Sequence, residues 1–151
     1  MANTQAMCTS FKGELLVGHH NFGTGVTRGS TAADTFKAAL YLASATVNAS
    51  TTAYSATNEV SGTGYTAGGV TVTFGTAPST SGTTAFVTPS ASITYTTVTL
   101  STAFDAVLIY NSTQSNKAVS VHTFGSQTVT AGTFTLTIPV SDASTGLIRL
   151  A

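Results

Sequence analysis

Charge is what this chain has least of. Its 151 residues include five Lys and Arg against five Asp and Glu, only 7% of the total, with a net charge of zero. There is no basic field to draw a phosphate backbone and no polybasic run to hold a membrane surface, so nucleic acid and membrane are both excluded as expected partners. A single cysteine, Cys8, rules out an internal disulfide and with it a small disulfide-stapled secreted module. Cys8 reads as a small buried apolar residue rather than a nucleophile. Tryptophan is absent, which, with the missing cysteine pair, argues against a true immunoglobulin domain. No stretch approaches the roughly 18 apolar residues of a membrane helix. The opening MANTQAMCTSFKGELL has neither the basic start nor the unbroken apolar run of a secretory signal, so synthesis in a cytoplasm is expected.

What is abundant is hydroxyl. The chain holds 32 Thr and 17 Ser, yet 42% of it is hydrophobic, which is too apolar for disorder. A length of 151 residues suits one domain with one core. Soluble cytoplasmic proteins stay dispersed through charge. A chain this neutral is therefore expected to have much of its surface covered by neighbours.

Met7, Phe11 and Leu15 fall at four-residue spacing with Lys12 and Glu14 off that line, and Gly18 can end the turn. This predicts a helix of two or three turns. From Gly18 to Asp34, glycines and hydroxyls separate single apolar residues, the pattern of an extended arm. Residues 1–35 are thus read as a helix and arm, and 36–151 as a single β-sandwich domain. In the second part Phe36, Ala38, Leu40 and Leu42 alternate with Lys37, Ala39 and Tyr41, a strand. SGTGYTAGG at 61–69 reads as a long loop with bulged edges. Val70, Val72 and Phe74 form a strand, APSTSGTT turns, and Phe86 and Val87 precede Pro89. SITYTTVTL shifts phase to Val98 and Leu100, predicting a bulge or a strand buried on both sides, and AFDAVLIYN, apolar at both parities, is the candidate central strand. Val119, Val121 and Thr123 alternate next, TFGSQTVTAG reads as turning twice, Phe134 to Ile138 alternates again, and a short strand runs from Leu147 to Leu150. The total, about eight to ten short strands with almost no helix after residue 18, is an all-β sandwich or barrel. A jelly roll fits the strand count, as would an up-and-down barrel or an immunoglobulin-like sandwich.

Chemistry-bearing motifs are thin. Gly62, Gly64 and Ala67 match G-x-G-x-x-A but lack the strand, helix and acidic residue of a dinucleotide site, so they read as a glycine-rich turn. His19, His20, His122, Asp34, Asp105 and Cys8 are candidates for hydrolysis, yet no serine sits in a nucleophile elbow. Adjacent His19 and His20 diverge in an extended arm and do not share a metal readily. Asp105, inside the most apolar segment, and Glu59, beside the glycine loop, are read as carboxylates hydrogen-bonded to loop backbone. Five scattered acids give little basis for a glycosidase pair. Threonine pairs at 71–74, 128–130 and 133–137 have no fixed repeat and read as outward strand residues rather than an ice-binding face. The sequons at Asn48 and Asn111 are chance matches. The short strands and missing export signal also speak against a porin-like barrel. No catalytic residue, cofactor or metal is expected.

The segments FKAALYLASATVNASTTAYSATNEVSGTGYTAGG at 36–69 and AFDAVLIYNSTQSNKAVSVHTFGSQTVTAGTFTLTIP at 103–139 resemble small virion structural proteins of tailed bacteriophages. Among these, a compact all-β chain of this size is most similar to a capsid decoration, or cement, protein. The resemblance implies a non-enzymatic role on the capsid surface of a virion, the major capsid protein as partner, and a homodimer or homotrimer. It brings no site residues with it. The candidate partner contact is the segment through Arg28 with Phe11, Leu15, Leu16 and Phe22, reaching over a neighbour; the helix would equally cap an open end of its own sandwich. The alternative is a tail-fibre or baseplate module whose Tyr54 and Tyr65 stack on a host glycan.

Overall fold

The computed structural model describes residues 3–16, 18–23 and 33–151. It is an all-β fold of two antiparallel sheets accompanied by one short helix. The larger sheet has the order β1 (Ala6–Met7), β7 (Lys117–Leu136), β6 (Ile93–Asn111), β2 (Phe36–Leu42), β3 (Val70–Val72). The smaller is β4 (Ser79–Ser81), β5 (Thr84–Val87), β8 (Ile148–Leu150). Neither sheet closes into a barrel.

The predicted central strand is central: from Ala106 to Asn111 every residue of β6 is buried, as expected of an apolar run without alternation. β2 lies beside it in regular register, Phe36 opposite Asn111 and Leu40 opposite Val107. The expected bulge at Val98 is present, with Thr97 at φ 54°. Three expectations are corrected. The segments read as separate short strands on either side of residue 102 form one 19-residue strand, β6, and TFGSQTVTAG does not turn but continues β7 to 20 residues. Its glycines and Ala131 (φ 46°) are absorbed by register shifts between the two strands, because a bulge takes up one extra residue without ending the pairing. Ser79–Ser81, read as turn, is strand β4, fully exposed and so lacking any alternation.

The helix α1 (Thr9–Leu16) has the two turns predicted but begins after Met7, which belongs to β1. Gly18 ends it as expected, its N–H donating to Leu15 O (3.1 Å) while His19 N–H donates to Glu14 O (3.0 Å). Residues 20–22 of the predicted arm are packed into the same core as the sheets, while 24–32 lie outside the described residues. Phe11, Phe22, Phe36 and Phe74 form one aromatic cluster with His20, Phe22 stacking on Phe36 at 4.5 Å. A second cluster, Phe104, Phe124 and Phe134, with centroids 5.0–5.9 Å apart, fills the far end of the long hairpin.

Candidate interaction surface

The acids come first, because a catalytic or binding centre in so neutral a chain has few groups to use. Glu59 is buried and accepts three hydrogen bonds: from Tyr54 Oη (2.6 Å), Tyr65 Oη (2.7 Å) and the backbone N–H of Gly68 (2.7 Å). The other three tyrosines surround this point. Tyr110 donates to Gly68 O, Tyr95 to Ala38 O and Tyr41 to Ser55 O. Tyr54 stacks on Tyr110 and Tyr65 on Tyr95. Burial, reinforced by the Glu59 charge, pushes all five phenols up, Tyr41 to about 12. The carboxylate draws the 54–69 loop together, and Tyr65 Oη, which also accepts from Leu40 N–H, joins Tyr110 and Tyr41 in fastening that loop to the sheet. The glycine motif serves the same end: a β-carbon at Gly69 (φ 71°) would overlap the carbonyl oxygen of Ala38, and side chains at Gly62 and Gly64 would strike Thr99 and Thr97. Backbone lies directly on strand there, which only glycine permits.

A second network ties the N-terminal segment to the sheet. His20 Nε2 pairs with Glu14 Oε2 (2.7 Å), and Lys117 Nζ donates to Glu14 Oε1 (2.8 Å). His20 Nδ1 lies 3.1 Å from Asn111 Nδ2, which also donates to Asp34 Oδ2 (2.7 Å). An amide nitrogen only donates, so Nδ1 must accept and the proton sits on Nε2. His20 is therefore neutral, in keeping with burial, which lowers its pKa against the pull of Glu14. Burial opposes the Glu14 charge, but Lys117 and His20 hold its carboxyl below the usual range. Both ring nitrogens are engaged, and among the described residues no Ser, Thr or Cys hydrogen-bonds to either, so this cluster anchors the N-terminal segment to the sheet.

The remaining candidates are scattered. Cys8 is fully buried and its thiol is pushed up to about 11 by burial and by Glu14. Asp105 accepts from Asn3 Nδ2, which also bonds Leu42 O; the partner is a side chain rather than the loop backbone expected. His122 is half-buried against Ser120 Oγ (2.9 Å) and lines a cavity of about 190 Å³ with Ile93, Val107 and Phe124. Asn111 is fully buried, so its sequon is closed to modification. Among the described residues no three His, Cys, Asp or Glu side chains are grouped to hold a metal.

The candidate contact residues are corrected in one respect. Phe11 and Phe22 lie in the chain's own core, 0% and 6% exposed, so neither presents a face to a neighbour. Leu15 is partly buried against that core. The side chain of Leu16 and the whole of Arg28 lie outside the described residues. The helix packs Phe11 and Leu15 onto the chain's own core.

The free surface lies elsewhere. No Asp, Glu, Lys or Arg occurs from Val60 to Phe104 or from Ala118 to Ser141, and these stretches supply the outer half of the β6–β7 hairpin and β3 to β5. Thr128, Thr130, Thr133, Thr135 and Thr137 are exposed along or just beyond β7. The acids of the chain are turned inward or onto their own turns: Glu14, Asp34, Glu59, Asp105 and Asp142 all accept hydrogen bonds from the chain itself. The outcome is a surface of hydroxyls with very little exposed charge. Sequence spacing could not show this, because it depends on where the acids point.

Comparison of the chain with known protein families, with curated proteins and with solved structures returned no match.

Proposed function

We propose that this protein is a non-enzymatic structural component of a tailed-bacteriophage virion, a decoration protein that binds the major capsid protein shell and stabilises it. The observation that carries this reading is the near-neutral, hydroxyl-covered surface of the long hairpin, set on a core in which the polar clusters serve as fasteners. A repeated shell contact needs many modest, uncharged hydrogen bonds, and such contacts do not weaken with salt as ion pairs do. The inward-held tyrosines also speak for this reading over a glycan-binding tail module: Tyr54 and Tyr65 have their hydroxyls on Glu59 and one ring face against another tyrosine. Co-sedimentation of the purified chain with expanded capsid shells tests it. Saturable binding at a fixed ratio to the capsid subunit, unchanged by added salt, is expected; failure to bind shells overturns it.

A further inference from the structure

The long strand β6 does not run straight. Ile93 and Val107 would stand about 46 Å apart in a straight strand, yet both line one cavity of about 190 Å³. The register shifts between Tyr95 and Ala106 are where the hairpin bends. Its open end, with Leu136 and Ile138, thereby folds back over Val107, Ile109 and Phe124, and the cavity lies between the two halves.

These walls are chiefly apolar, and an apolar cavity of about 150 Å³ takes a benzene ring. The volume here admits such a ring with one small substituent. The group that selects the substituent is His122, whose ring lines the same cavity. Its Nε2 is 2.9 Å from Oγ of the buried Ser120. Nδ1 has no hydrogen-bond partner among the described residues and is not sealed from solvent. The ring is neutral, because burial holds its pKa at about 4. Ser120 either donates to Nε2 or accepts from it, which leaves Nδ1 as a donor in the first case and an acceptor in the second. A hydroxyl suits both cases, since it donates and accepts. A carboxylate or an ammonium does not suit the site. None of the described lining residues is charged, and burying an ion without a partner is costly.

We infer that this cavity binds a small neutral ring compound bearing one hydroxyl, phenol being the simplest, with the ring against Ile93, Val107 and Phe124 and the hydroxyl on His122 Nδ1. The inference does not rest on the shell-binding role. Phenol added to the full chain at neutral pH and followed by NMR tests it. Saturable shifts at Val107, Phe124 and the His122 ring nitrogens are expected, with half-saturation on the order of 1 mM. Benzoate, a similar ring carrying a charge, is expected to leave these signals unmoved over the same range. His122→Phe removes the hydrogen-bond partner and takes up part of the space, and is expected to weaken phenol binding about tenfold or more while circular dichroism keeps its β signature. If that variant does not fold, the ring-nitrogen shifts of the unaltered chain decide. The inference is overturned by shifts that are absent or never saturate, by equal shifts from benzoate, or by saturable binding that leaves the His122 ring nitrogens unmoved. Phenol binding indifferent to His122→Phe overturns it as well.

Discussion

Removing the Glu59 carboxylate tests whether it holds the 54–69 loop and its tyrosines in place against the sheet. In Glu59→Ala three donors lose their acceptor: Tyr54 Oη, Tyr65 Oη and Gly68 N–H. Tyr54 is half-buried and water can take over its hydroxyl, so two donors carry most of the cost. Hydrogen bonds to a charged group contribute about 1.5–3 kcal/mol each, giving a loss of about 3–6 kcal/mol. That is a large fraction of the ~5–15 kcal/mol that holds a domain folded. Glu59→Gln keeps one acceptor oxygen at nearly the same shape and should lose about half as much. Urea unfolding followed by tyrosine emission is the natural assay, since there is no tryptophan to mask it and all five tyrosines report on this cluster. A loss below about 1 kcal/mol for Glu59→Ala, or equal losses for both variants, would refute the fastening role.

Other predictions follow from single contacts. Gly69→Ala should unfold the chain or cost several kcal/mol, because its β-carbon overlaps Ala38 O, whereas Gly125→Ala, with open space around it, should be neutral or stabilising; thermal melts compare them. Acid should destabilise the fold between about pH 6.5 and 4. Burial holds His122 at about 4, so the unfolded chain binds the proton first as pH falls, and stability, full above 6.5, declines by at most about 3 kcal/mol. His122→Phe should flatten that slope in urea melts taken across the range. At the alkaline end the phenols are raised in the fold, so stability is full below about pH 10 and falls above it. Absorbance at 295 nm should show the tyrosines ionising together with unfolding. Cys8, buried and raised to about 11, should not react with a thiol reagent until the chain unfolds.

Where apolar residues follow a simple period, the sequence was easy to read. Alternation located β2 and β3, and the apolar run from Phe104 to Tyr110 located the buried centre of the sheet. The phase slip at Val98 announced a real bulge. Gly125 and Gly132 misled, because glycine favours a turn and a bulge alike, and only the partner strand decides between them. Serine and threonine hid β4, whose exposed residues have no buried face to alternate with. Glu59 was legible as a bonded carboxylate, including its bond to loop backbone. Its tyrosine partners were not, since nothing in a spacing of five or six residues distinguishes an inward phenol from one offered to a sugar. Phe11 and Phe22 looked exposed because their surroundings in sequence are polar, while in space Phe11 packs on Phe22 and His20, and Phe22 on Phe36 and Phe74.

The central claim is a place on the shell, and the most direct test is the copy number of this chain relative to the major capsid protein in purified particles, by quantitative mass spectrometry. The account predicts a ratio near one, as for a protein laid across the whole capsid surface. A ratio of a few per cent would move it to a tail or a vertex, and its absence from the particle would contradict the virion role altogether.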